Sequence, residues 1–121
     1  MANFKKGEVE ILNHNDNGKA YVIRFTTNAL CDLETALNMG INEFFQLIRT
    51  RELSGQSLTL KEIRTVLWAG LHESYEDLTP RDVGNIIDGA GMLVAMDAIR
   101  KALTAAFPTA EKEVKKNLTA A

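Results

Sequence analysis

The sequence predicts an α+β domain, an N-terminal β-hairpin followed by a bundle of four to five α-helices. Three observations carry that prediction. Only two segments alternate polar and apolar residues, and an Asx-rich loop separates them. Everything after residue 26 that carries apolar periodicity has the helical spacing i, i+3, i+4, i+7. Two short strings, Thr59-Leu60-Lys61-Glu62 and Thr79-Pro80-Arg81-Asp82, mark helix starts.

Residues 8–12, Glu8-Val9-Glu10-Ile11-Leu12, form the first alternating segment. In residues 19–25, Tyr21, Ile23 and Phe25 share one face, with Ala20, Val22 and Arg24 on the other. Val22 is therefore expected to be partly covered. Period-two alternation means strands with one buried side. The intervening Asn13-His14-Asn15-Asp16-Asn17-Gly18 is rich in residues that accept positive φ. A loop of about five or six residues fits it. A lone hairpin is marginal in water, so its apolar face must lie on the helices.

The first helix is expected to be capped by Thr27 or Asn28, to bury Leu30, Leu33, Ala36 and Leu37, and to end at Gly40 in a left-handed conformation. Asn42 is expected to cap the second, whose apolar residues are Phe44, Phe45, Leu47 and Ile48. Ser54-Gly55-Gln56-Ser57 reads as loop. The capping box at Thr59 opens the third helix, with Leu60, Ile63, Leu67 and Leu71 on one face and Trp68 beside them. Thr79 with Pro80 opens the fourth, with a stripe of Val83, Ile86, Ile87 and Ala90 that Gly89 and Gly91 interrupt. The fifth is expected to bury Leu93, Met96, Ile99, Leu103 and Phe107 before Pro108 stops it. The chain thus divides into one domain, residues 1–108, and a polar tail, residues 109–121. Beyond Pro108 only Val114 and Leu118 are larger apolar residues, too few to offset the ordering entropy of that segment alone.

Composition narrows the function classes. The chain has 121 residues, 45% hydrophobic and 25% charged, enough to bury a core. With 14 basic and 16 acidic residues its net charge is −2, which gives no electrostatic footprint for nucleic acid. The helix pair around residues 74–79 would make a poor DNA reader, because Asp82 and Asp88 on the second helix repel phosphate. The single cysteine, Cys31, cannot form an internal disulfide. No apolar run follows Met1, so neither a secretory signal nor a membrane span is expected, and a cytoplasmic location is.

No residue constellation calls for catalysis, a cofactor or a metal. Asn13, Asn15, Asn17 and Gly18 imitate the start of a calcium loop, but Arg24 stands where its bidentate glutamate belongs. Cys31 is followed by Asp32 and Glu34, which raise a thiol's pKa, and is expected at the edge of the core. Glu73, Glu76 and Asp77 read as a solvated turn. Gly84, Gly89 and Gly91 have neither the strand nor the lysine of a phosphate loop. A protein that works by contact is expected. Trp68 is expected to be mostly buried. Phe44, Phe45 and Leu47 are the candidate partner contacts, because Phe44 and Leu47 cannot share one inner stripe with Phe45 and Ile48 without wrapping most of the helix.

Several strings occur in a telling order: Gly7-Glu8-Val9, then Tyr21-Val22-Ile23-Arg24-Phe25 leading to Asn28-Ala29-Leu30-Cys31-Asp32-Leu33-Glu34. Val66-Leu67-Trp68-Ala69-Gly70-Leu71 follows, then Leu78-Thr79-Pro80, and finally Ala102-Leu103-Thr104-Ala105-Ala106-Phe107-Pro108. Over residues 7–108 the chain resembles the gene-transfer-agent type of phage tail assembly chaperone, a group whose members also carry the label tail tube protein. The resemblance implies a non-enzymatic protein of the bacterial host cytoplasm. Such a protein coats the tape measure protein and helps recruit tail tube subunits; self-association into a homo-oligomer is compatible with that role. The other class left open is a structural tail protein, a tube or terminator subunit. Two strands are few for a subunit that builds rings from extensive β-sheet.

Overall fold

In a computed structural model, residues 8–107 are described. Strands β1 (Glu8–Asn13) and β2 (Lys19–Arg24) form an antiparallel hairpin, followed by α1 (Thr27–Leu37), α2 (Ile41–Leu53), α3 (Leu60–His72), α4 (Pro80–Ala90) and α5 (Met92–Ala106). This is the α+β, mainly helical arrangement expected. The stop at Pro108 and the polar tail lie outside the described residues.

The hairpin behaves as its alternation dictates. Val9 faces Ile23 and Ile11 faces Tyr21. Ile11, Tyr21, Ile23 and Phe25 are buried, whereas Val22 is half-buried. The loop holds a short 3₁₀ turn, His14–Asp16, and closes through Asn17 (φ 55°) and Gly18 (φ 72°), both left-handed. Asn13 faces inward with the apolar residues, and its Oδ1 accepts from the Asn15 N–H at 3.0 Å. Tyr75, in the turn after α3, accepts the Val22 N–H on its hydroxyl at 3.1 Å and meets the Tyr21 ring edge-on. Tyr75 thus holds the hairpin both at the edge of β2 and through the inward-facing Tyr21.

Two glycines let the hairpin approach the helices. A Cβ at Gly70 of α3 would lie 2.7 Å from Ile23 Cγ2 and 2.9 Å from Phe25 Cζ. A Cβ at Gly89 of α4 would lie 2.7 Å from Asn13 Cγ, overlap Asn13 Oδ1, and stand 3.2 Å from the Asn15 nitrogen. Gly89 is therefore a packing residue inside α4. It does not interrupt the helix, which ends at Gly91 (φ 100°).

Both capping signatures form. Thr59 Oγ1 accepts from the Glu62 N–H, and the Glu62 carboxylate accepts from the Thr59 N–H at 2.8 Å. Thr79 and Asp82 repeat the exchange at 3.1 and 2.9 Å, with Pro80 at the first helical position. The Glu62 carboxylate also pairs with Arg51 of α2.

The boundaries of α1 and α2 differ from expectation. The cap of α1 is Thr26, whose hydroxyl accepts from the Ala29 N–H at 3.1 Å and donates to the Glu73 carboxylate. That tertiary partner selects Thr26 over Thr27 and Asn28. Asn38 (φ 55°), two residues before Gly40, takes the left-handed position at the end of α1. Gly40 is extended and precedes α2, so Asn42 already lies inside that helix. The cap of α2 comes from α1: the Glu34 carboxylate accepts the Ile41 N–H at 2.9 Å.

Buried faces are also rotated in places. In α1, Ala29 and Leu33 are buried, Leu30 and Leu37 only partly, and Ala36 is exposed. In α5 the inner face is Ala95, Ala98, Ile99, Ala102 and Leu103, while Leu93 is 81% exposed. Small side chains bring a helix axis closer to its neighbour, and α5 packs against β1, β2, α3 and α4. Leu60, expected in the α3 stripe, is the first residue of that helix and is 69% exposed; Ile63, Val66, Leu67 and Leu71 lie on the buried face.

Candidate partner-binding surface

The α2 residues singled out from sequence separate in the structure. Phe44 is fully buried, so it belongs to the core and is unavailable to a partner. Phe45 is half-buried, its ring edge-on to Phe107 at 5.1 Å, which ties α2 to the end of α5. Leu47 is half-buried against the core. These three residues do not make one exposed apolar face.

On α2 the exposed large apolar residue is Leu53, at its last turn; the others of that kind in the helices stand at helix starts. Leu60 at the start of α3 and Leu93 and Val94 at the start of α5 are all more than half exposed. Leu60, Ile87 of α4 and Met92 of α5 line a groove of ≈ 300 Å³, with Lys61, Arg64 and Asp88 on its walls. Gly84 forms part of the floor; a Cβ there would lie 3.6 Å from Arg64 Cδ, so the arginine stem lies along α4 where that helix has no side chain. Past Arg64 the groove continues into a wider depression of ≈ 650 Å³, lined by Thr79, Pro80, Arg81, Asn85 and Asp88. The groove is apolar at the Leu60–Met92 end and polar at the Arg81 end. Arg64 lies between the two.

Charge is unevenly spread along it. Lys61, Arg64 and Arg81 face the single carboxylate Asp88, and among the described residues none of these four makes an ion pair. The Nε of Arg64 is buried and has no hydrogen-bond partner among the described residues. Asp82, nearby on α4, is occupied: the Thr79 backbone N–H and hydroxyl bind its carboxylate and hold it below its usual pKa.

The residues considered for chemistry have other surroundings. Cys31 is exposed, not at the core edge, because Ala29 and Leu33 turn the buried face of α1 away from it. Trp68 is mostly buried, as expected, and packs against the core; its Nε1 donates to the Leu78 carbonyl at 3.2 Å, and its ring stacks on His72 at 4.6 Å. Glu73, Glu76 and Asp77 are exposed, as a solvated turn should be. No helix among the described residues is long and apolar enough to cross a membrane.

Sequence reasoning missed the groove because it assigned Leu60 and Leu93 to buried stripes. The available signal was their position in the first turn of a helix, where a side chain projects past the neighbouring elements. Comparison with protein-family models, with curated proteins and with solved structures gives no match for this chain.

Proposed function

We propose that this protein is a non-enzymatic tail assembly chaperone of a phage or gene transfer agent. In this reading it acts in the bacterial host cytoplasm, binds the tape measure protein and helps recruit tail tube subunits. The observation that carries the reading is the groove between α3, α4 and α5, lined at its apolar end by the exposed Leu60 with Ile87 and Met92, together with the exposed Leu93 next to Met92 in α5. The resemblance over residues 7–108 supplies the identity of the partner.

The physical task matches such a groove. A tape measure is a long helical chain with apolar stripes that aggregate when left bare. A groove between helices takes an amphipathic helix by its i, i+3, i+4 and i+7 anchors. Each contact is weak, and many copies along one chain gain avidity. Weak single sites also permit release when tube subunits take over.

Co-expression with the long helical protein encoded in the same gene cluster tests the proposal. The tape measure should stay soluble and co-purify with this chain, and should pellet without it. No co-purification, with the chain instead present in mature virions in ring stoichiometry, would favour a tube or terminator subunit.

A further inference from the structure

The groove has a chemical preference that its shape alone does not convey. We infer that it selects an amphipathic helix carrying carboxylates beside its apolar stripe, the acid ends meeting Arg64 and Arg81 while the stripe fills the Leu60–Met92 end. The inference rests on the reading of this chain as a helix-binding module and adds the partner's chemistry.

Two observations support it. The first is charge: three cations, Lys61, Arg64 and Arg81, stand around the groove against Asp88 alone. Asp82, the neighbouring carboxylate of α4, is not among the residues that line the groove. The second is Arg64 itself. Its stem lies along Gly84, and its Nε is already out of water without an acceptor among the described residues. An apolar partner that covers the groove strips water from the rest of the guanidinium. A buried cation without a counter-charge is strongly disfavoured, whereas a carboxylate on its planar fork forms paired charge-assisted hydrogen bonds. A neutral or basic helix would therefore be rejected by the residue that an acidic helix satisfies. Such rejection is how binding surfaces gain specificity.

The probe is a pair of synthetic amphipathic peptides of about 18 residues, five helical turns each. Both carry the same leucine stripe; one is flanked by glutamates and the other by lysines at the same positions. Each is titrated into the full-length ¹⁵N-labelled protein, with amide shifts locating the site and Trp68, one turn from Arg64, giving a fluorescence signal. The glutamate peptide should bind at least roughly tenfold more tightly, with shifts centred on residues 60–64, 84–88 and 92. Arg64→Ala combined with Arg81→Ala should bring the two peptides to within about threefold of each other. Asp88→Asn should widen the gap, an outcome that a merely structural role for these charges would not give. Circular dichroism checks that each variant is folded.

Equal binding of the two peptides, shifts located elsewhere, or no binding of either at millimolar concentration would overturn the inference. So would a dimer in sedimentation velocity that Leu93→Ser dissolves and the glutamate peptide does not displace, because that assigns the groove to a second copy of the chain. The two levels fail separately. Selective peptide binding without capture of the tape measure leaves the groove chemistry standing and removes the tail-assembly role. Capture of the tape measure equally by wild type and by the double arginine variant, with no peptide discrimination, does the reverse.

Discussion

Replacing Gly89 with alanine inserts one methyl group where α4 meets the hairpin. Inside an exposed helix this change stabilises by about 1 kcal/mol, because glycine has the poorer helix propensity. Here the new Cβ would overlap Asn13 Oδ1 and stand 2.7 Å from Asn13 Cγ and 3.2 Å from the backbone nitrogen of Asn15. Asn13 is 7% exposed and has little room to move aside. Overpacking of this kind costs about 1–3 kcal/mol. Displacing the asparagine also breaks its hydrogen bond to the Asn15 N–H, worth about 1 kcal/mol. Set against the propensity gain, the net expectation is a loss of about 1–3 kcal/mol. Urea denaturation followed by Trp68 fluorescence measures it. Asn13→Ala in the same chain removes the obstructing amide, so the double variant should lose less than the sum of the two single ones. A Gly89→Ala protein as stable as wild type, or more so, would refute the packing of α4 on the hairpin loop.

Other consequences follow from the same contacts. Gly70→Ala places a methyl group 2.7 Å from Ile23 Cγ2 and should also destabilise, with the penalty reduced in an Ile23→Ala background; thermal denaturation of the four proteins gives the coupling. Trp68→Phe removes the donor to the Leu78 carbonyl and should cost about 1 kcal/mol by chemical denaturation, read by circular dichroism. The hydrogen bond from Arg51 is the main cause that holds the Glu62 carboxyl below its usual pKa of 4.5. A carboxyl lowered on folding contributes stability that is complete above its unfolded value and is lost as pH falls through the folded one. Glu62→Gln should accordingly lower stability at pH 7 and flatten its decline below about pH 4.5 in stability–pH curves.

The parts of the fold visible in the sequence are those set by neighbours along the chain. Tyr21, Ile23 and Phe25 alternate without interruption, and the inner face of β2 follows. Thr59 with Glu62 and Thr79 with Asp82 satisfy each other's backbone groups, so the starts of α3 and α4 need no tertiary information. The start of α1 does need it, because Glu73, far along the chain, engages Thr26. So does the start of α2, where the Glu34 carboxylate substitutes for a capping residue. The inner face of α5 was hidden for another reason. Ala95, Ala98 and Ala102 carry little apolar weight in a periodicity, yet their small size admits the closest neighbours. The groove belongs to three helices at once. No spacing within any one of them encodes it, and reading Leu60 and Leu93 as core residues removed its exposed rim.

The most direct test of the account is quantitative capture of the co-expressed tape measure protein by two immobilised forms of the chain. One is the wild type; the other carries Leu60→Ser and Leu93→Ser, exposed positions whose change should leave the fold intact by circular dichroism. The account predicts capture by the wild type at several copies per tape measure and at least a roughly tenfold loss in the variant. Equal capture by both proteins, or none by the wild type, would contradict it.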